Sequence, residues 1–259
     1  MYIVHCTLNI AHCTLHIVHC KLNVGVLYME TKKRQMSESF FIGAVLAIVG
    51  GYLDVYTYIS RGQVFANAQT GNIVLLGITL ARGDISKAVM YLPPIIAFVV
   101  GIILCEMIRM NLDGRGLHWR QYVILLEIII LSAVSLFPMG VVGGVNFDTV
   151  SNVLISFVCS LQVQSFRDIR GIICATTMCT GKLRSGAEAL EKYRVLKDKK
   201  YLHNAVKYFG IDLFFVVGAV ISTLITPQMM EKSVILCSAV LLGVFGLLFV
   251  SPKAKIKKE

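Results

Sequence analysis

Residues 64–72 read VFANAQTGN: an apolar pair, then amides, a hydroxyl and a glycine, standing between two long apolar runs. Whether this stretch lies in water or at membrane depth decides how the chain is threaded. The run before it, Phe40 to Ser60, and the one after it, Val89 to Ile108, are each about the 20 residues that a bilayer-spanning helix needs. Four more runs follow: Tyr122 to Met139, Val150 to Phe166, Tyr208 to Thr226 and Val234 to Ser251. Two segments, Val64 to Ala81 and Cys174 to Tyr193, are only half apolar, and the second carries Lys182, Arg184, Glu188, Glu191 and Lys192.

The composition agrees with a membrane chain. Of 259 residues, 56% are hydrophobic and 15% charged, and the mean hydropathy is +0.72, above an ordinary soluble domain. Twenty-five Lys and Arg against fifteen Asp and Glu give +10. Because these cations cluster at the ends of apolar runs, they read as orienting charges and not as a nucleic-acid surface. The expected partner is the lipid bilayer, with no nucleic acid.

Basic segments occur at Lys32 to Arg34, Arg109 to Arg120, Lys182 to Lys207 and Lys253 to Lys258, whereas Gly140 to Asp148 and Pro227 to Lys232 are nearly bare. Placing the basic segments inside predicts six spans with both termini cytoplasmic. The half-apolar segments then enter and leave on one side each, as re-entrant pieces. Eight spans are the alternative, but they put the Arg109 to Arg120 loop outside.

A shift of 110 residues lays the runs of the first half on those of the second, Thr70-Gly71 on Thr180-Gly181 and Ile59 on Ile169. With three spans per half, the halves are inserted in opposite senses. The fold expected is an all-α integral membrane protein of six helices in two inverted repeats, residues 40–139 and 150–251, each with one re-entrant segment.

GGYLDVYTYISRGQVFANAQTGNIVLLG (Gly50 to Gly77) and LQVQSFRDIRGIICATTMCTGKLRSGAEAL (Leu161 to Leu190) resemble the two signature regions of the YoaK-type family of bacterial multi-pass inner-membrane proteins. The resemblance runs from about Ser37 to Ser251 and implies a membrane architecture without an assigned activity. Lys182 stands where an Asn matching Asn72 is expected, so the two motifs are not equivalent.

Asp54 falls about 20 Å into the first span at 1.5 Å per residue. An ionised carboxylate at such depth costs ~2.5–3.5 kcal/mol, so it must face protein, water or a cation. Helical spacing places Ala47, Gly50, Gly51, Asp54, Thr57 and Tyr58 on one stripe, either a close helix contact or the wall of a polar cavity. Span four carries Gln164 on its corresponding stripe. In VFANAQTGN, Asn67, Gln69, Thr70 and Asn72 can satisfy non-helical backbone at membrane depth. Gly71 allows a tight turn, and Thr70 or Asn72 is placed to cap a short helix from Ile73 to Leu80. Such a helix start favours an anionic group or a polar ligand. Thr177, Thr180, Gly181 and Lys182 are the counterparts in the second half. The same pattern also describes two capped turns with no ligand.

Enzyme chemistry is not expected, and no cofactor or metal is. Outside the N-terminus only His118 and His203 occur, without a carboxylate pair or nucleophile pattern; Thr180 to Lys182 lacks the glycine spacing of a phosphate-binding loop; and no C-x-x-C joins the eight cysteines. Residues 3–23 read IVHCTLN, IAHCTLH, IVHCKLN, a heptapeptide whose His-Cys pairs spread along any regular element and do not converge on an ion. The first 28 residues read as a translated tandem repeat ahead of the natural start at Met29 or Met36, to be set aside from fold reasoning. Two functions fit: a permease for a small polar or anionic solute, or a scaffold or sensor holding a partner or anionic lipid through the basic loop Lys182 to Lys207.

Overall fold

A computed structural model describes residues 39–112, 118–169, 172–173 and 177–249. The N-terminal heptapeptide repeat, both proposed start sites and the basic tail lie outside the described residues.

The chain is built of α1 (Phe40–Ser60), α2 (Gln69–Ala81), α3 (Ile85–Leu112), α4 (Trp119–Val134), α5 (Phe147–Ser165), α6 (Cys179–Leu196), α7 (Lys199–Met229), a 3₁₀ turn (Met230–Val234) and α8 (Ile235–Leu247). Two antiparallel two-residue hairpins, Val141–Val142 with Val145–Asn146 and Asp168–Ile169 with Ile172–Ile173, are its only strands among the described residues. Helix starts are capped where the local sequence offers an acceptor. The Ser39 hydroxyl accepts from Phe41 N–H, Asn146 Oδ1 from Asp148 and Thr149, and Asp198 from Lys200. His118 and Gln121 form a reciprocal capping box on α4.

Helical stretches 40–60, 85–111 and 199–247 are long and apolar enough to cross a membrane, the last containing α7, the 3₁₀ turn and α8. Their outer faces are apolar. Val89, Leu92, Ile96, Val99, Ile103 and Met107 of α3, and Leu213, Val216, Val220 and Leu224 of α7, are all exposed, which in a membrane chain is the lipid surface and not a liability. The first, second and fifth expected spans fall within these stretches, and the sixth, Val234 to Ser251, overlaps the last of them as far as Leu247. The fourth is α5, whose Ser151, Asn152, Ser156, Ser160 and Gln162 lower its hydropathy but are buried inside the bundle. The third ends early: α4 stops at Val134, 16 residues long, instead of running to Met139. Pro138 has no N–H to offer the Val134 carbonyl and disfavours a helical Phe137, and the carbonyls of Phe137 and Pro138 are taken by the Arg61 guanidinium at 3.0 and 2.8 Å.

Each long helix of one half packs chiefly on a helix of the other half: α1 on α7, and α3 on α5, while α4 packs on α8. The contacts are backbone-close. Gly218 of α7 lies against the carbonyl of Ile48 on α1, and Gly51 of α1 against the carbonyl of Phe215. On the other side Gly101 of α3 sits against Phe157 and Ser160 of α5. Around these pairs is a core of Leu46, Leu53, Tyr56, Ile124, Leu131, Ile155, Val158, Phe166 and Leu241.

One end of the bundle is tied by Arg61, which is fully buried. Its Nε donates to Tyr56 Oη at 3.0 Å and its Nη1 reaches Asp148 Oδ1 at 3.1 Å. At that same end Tyr52 and Tyr56 donate to the carbonyls of Ser233 and Glu231. The opposite end is tied by Arg120, whose Nε donates to Ser165 O at 2.9 Å while its guanidinium stacks on Trp119.

Candidate functional site

The glycine stripe of α1 divides by position. Gly51 is a helix contact, closed by the backbone of α7. Gly50 instead makes room for two loops, because a Cβ there would lie 3.0 Å from Asn67 Nδ2 and overlap the Thr177 methyl. One turn further along, the buried Asp54 reaches the first loop. Its Oδ1 accepts from Asn67 N–H at 2.6 Å and Ala68 N–H at 3.2 Å. A carboxylate that gathers backbone donors in this way needs no cation beside it. Thr57, on the same stripe, turns its hydroxyl back to the carbonyls of Leu53 and Asp54.

The rest of VFANAQTGN holds itself. The Asn72 side chain pairs with both backbone groups of Phe65, accepting from its N–H at 2.9 Å and donating to its carbonyl at 2.7 Å. Asn72 also donates to Gln69 Oε1, and Gln69 Nε2 donates to Ala66 O, each at 2.9 Å. The expected cap does not form: α2 starts at Gln69 after Ala68, which offers no side-chain acceptor, so Thr70 and Asn72 lie in the first turn. Asn72 is spent on Phe65, and the N–H groups ahead of the helix are met by Asp54 from another element. Thr70 is exposed, and Gly71 lies against the Phe65 ring.

In the second half Thr177 is buried, whereas Thr180 and Gly181 are exposed at the start of α6. Lys182 is buried but not available as a bare cation: its Nζ lies 2.9 Å from Asp212 Oδ1 on α7. Gln164 goes elsewhere, donating to Glu106 on α3 at 3.1 Å. Of the residues singled out in the sequence, the structure therefore brings Asp54, Asn67 and Thr177 together, builds their loop with Gln69 and Asn72, and leaves Thr70, Gly71, Thr180, Gly181 and Gln164 apart.

The meeting point has an uncommon property. Asn67 and Thr177 are each only 7% exposed, yet neither Asn67 Nδ2, Asn67 Oδ1 nor Thr177 Oγ1 has a hydrogen-bond partner. Buried polar side chains are nearly always paired, so three unpaired atoms around one glycine are what a polar ligand would complete. Gly50 was legible in the sequence as a small residue. Arg61 was not, because a cation just after a span reads as flanking charge and its partners lie 76 to 87 residues away.

Two cations of the basic segment are paired within α6. Lys192 donates to Glu188 at 2.6 Å and Arg194 to Glu191 at 2.7 and 2.8 Å. These hydrogen bonds hold both exposed carboxyls below their ordinary range. Among the described residues no group of three or more His, Cys, Asp and Glu is arranged to hold a metal ion.

Comparison with known proteins is consistent with this architecture. The chain is 28% identical over 192 residues to the UPF0700 transmembrane protein YoaK of Bacillus subtilis (strain 168), covering 71% of this chain and 83% of that protein. No solved structure matches the chain. Residues 42–247, which contain both loops, match the family described as protein of unknown function (DUF1275). The chain belongs to this YoaK-type family of transmembrane proteins.

Proposed function

We propose that the protein is a permease for a small, uncharged polar solute, and that its site is the junction of Asn67 and Thr177 beside Gly50. The observation that carries this reading is the pair of buried, unpaired side chains, one from each half, meeting over a residue with no side chain. An amide offers a donor and an acceptor and a hydroxyl offers both, so the set suits a neutral hydroxyl- or amide-bearing molecule. An anionic solute is less well served, since Lys182 is already held by Asp212.

The reading includes two inverted repeats in a bacterial cytoplasmic membrane, six spans with α2 and α6 as re-entrant helices, and both termini inside. It is supported by the exchange of partners between halves, α1 with α7 and α3 with α5, each pair having a glycine in close contact, Gly218 against Ile48 and Gly101 against Phe157. Solute sites at the meeting of such repeats follow the general plan of many transporters. The other reading, a scaffold or sensor acting through the basic loop, is weakened by the pairing of Lys192 and Arg194 within α6.

The test is a thermal-shift screen of the purified full chain against small polyols, amides and sugars, with phosphate and sulfate as anions. A neutral solute is expected to raise the melting temperature of the wild type but not of Asn67→Leu or Thr177→Val, and then to enter proteoliposomes carrying the wild type. A response to anions alone, or one indifferent to both substitutions, would sink the proposal.

A further inference from the structure

Glu127 of α4 has no part in the solute site, and its surroundings set it apart from every other carboxylate described here. It is completely buried, and neither Oε1 nor Oε2 has a hydrogen-bond partner. Its helix neighbours Val123, Ile124 and Leu131 are themselves wholly buried in the apolar core. The titratable groups within electrostatic reach of it on the packed elements are thiols, Cys159 on α5 and Cys105 on α3. Asp54 on α1 lies within electrostatic reach of Cys159 as well. The ion pairs of the described residues use other carboxylates: Asp148, Glu106, Asp212, Glu188 and Glu191. An isolated ionised carboxylate in such a place is so costly that the group takes up a proton instead.

A route to it is laid out on α5. Asn152, Ser156 and Cys159 follow at intervals of four and three, one face of the helix. Asn152 Oδ1, Ser156 Oγ and, one turn beyond Cys159, Gln162 Oε1 are buried and unpaired. The row is anchored at both ends to α1, since Asn152 Nδ2 donates to Arg61 O at 2.6 Å and Gln162 Nε2 to Leu46 O at 2.8 Å. It covers eleven residues, about 15 Å of helix from first to last. It leads from the Arg61 end of the bundle past Cys159, which lies within electrostatic reach of Glu127.

We propose that Glu127 is a proton-binding site of this protein, carrying a proton that exchanges with water along the polar face of α5. The inference stands on the burial and pairing of Glu127 and holds whether or not Asn67 and Thr177 bind a solute.

The experiment is infrared spectroscopy of the reconstituted full chain at neutral pH, in H₂O and after transfer to D₂O, with wild type, Glu127→Gln and Ser156→Val compared. The expected result is a protonated-carboxyl C=O band in the wild type that is missing from Glu127→Gln and moves to lower frequency in D₂O while the amide bands of the core are unchanged. Ser156→Val keeps the band and slows its movement several-fold. Absence of any band sensitive to Glu127→Gln, a band that stays fixed in D₂O, or exchange unaffected by Ser156→Val would overturn the proposal. Glu127→Leu serves beside Glu127→Gln, because a site occupied by a neutral acid accepts both. If neither variant accumulates as folded protein, the carboxylate is engaged elsewhere and the proposal fails. Asn67→Leu leaves the band in place, so loss of solute binding with the band intact would count against the permease alone.

Discussion

The carboxylate of Asp54 holds the backbone N–H of Asn67 at 2.6 Å, thirteen residues along the chain. The acid that the sequence places at membrane depth tethers the loop that carries the proposed site. Asp54→Asn keeps an acceptor but loses the charge, and should lower stability by about 1–3 kcal/mol, the range for hydrogen bonds to charged groups. Asp54→Leu should cost more, since it orphans the N–H groups of Asn67 and Ala68. Thermal unfolding and protease cleavage between residues 62 and 68 would measure both. An Asp54→Leu protein that melts with the wild type would show that the tether is dispensable.

Gly218 and Gly51 are predicted to be intolerant of even one methyl. At both, an added Cβ runs into the backbone of the facing helix, which cannot rotate away as a side chain could. Gly218→Ala and Gly51→Ala should each destabilise by about 1–3 kcal/mol or more, the usual range for overpacking. Gly243→Ala on α8 is the control, because a Cβ there meets nothing within 4 Å. Equal melting temperatures for the three variants would refute the close packing of α1 on α7.

Lys182 and Asp212 should behave as a unit. Both side chains are mostly buried, at 3% and 13% exposure, so removing one strands the other. Lys182→Met or Asp212→Leu alone is expected to cost about 3–5 kcal/mol, and the double variant to regain at least half of that. A double-mutant cycle on the purified protein gives the coupling directly. Strict additivity would mean that Lys182 is free to serve a ligand after all.

The apolar runs announced the helices because hydrophobicity at helical length is a local property that burial in lipid rewards. The end of α4 was overrun because the apolar run continues past Pro138, which cannot donate to the preceding turn, and the role of Arg61 was hidden because Phe137, Pro138 and Asp148 lie 76 to 87 residues away. Thr70 and Asn72 obeyed the pattern of helix caps, and a long-range carboxylate displaced that local preference. Lys182 read as positive charge because its partner, thirty residues on, declares itself only when α6 folds back on α7. Asn67 and Thr177 were both visible as polar residues in half-apolar segments. What one dimension did not contain was that Gly50 would let them meet.

The pairing of α1 with α7 bears on how the protein is made. Tyr52 finds its acceptor at Ser233, 181 residues later. At ribosomal speeds of about 5–20 residues per second, that is a wait on the order of ten to thirty seconds. During this interval α1 stands in the bilayer with its glycine groove uncovered, a condition in which an insertase or a membrane chaperone would be the first partner the nascent chain meets.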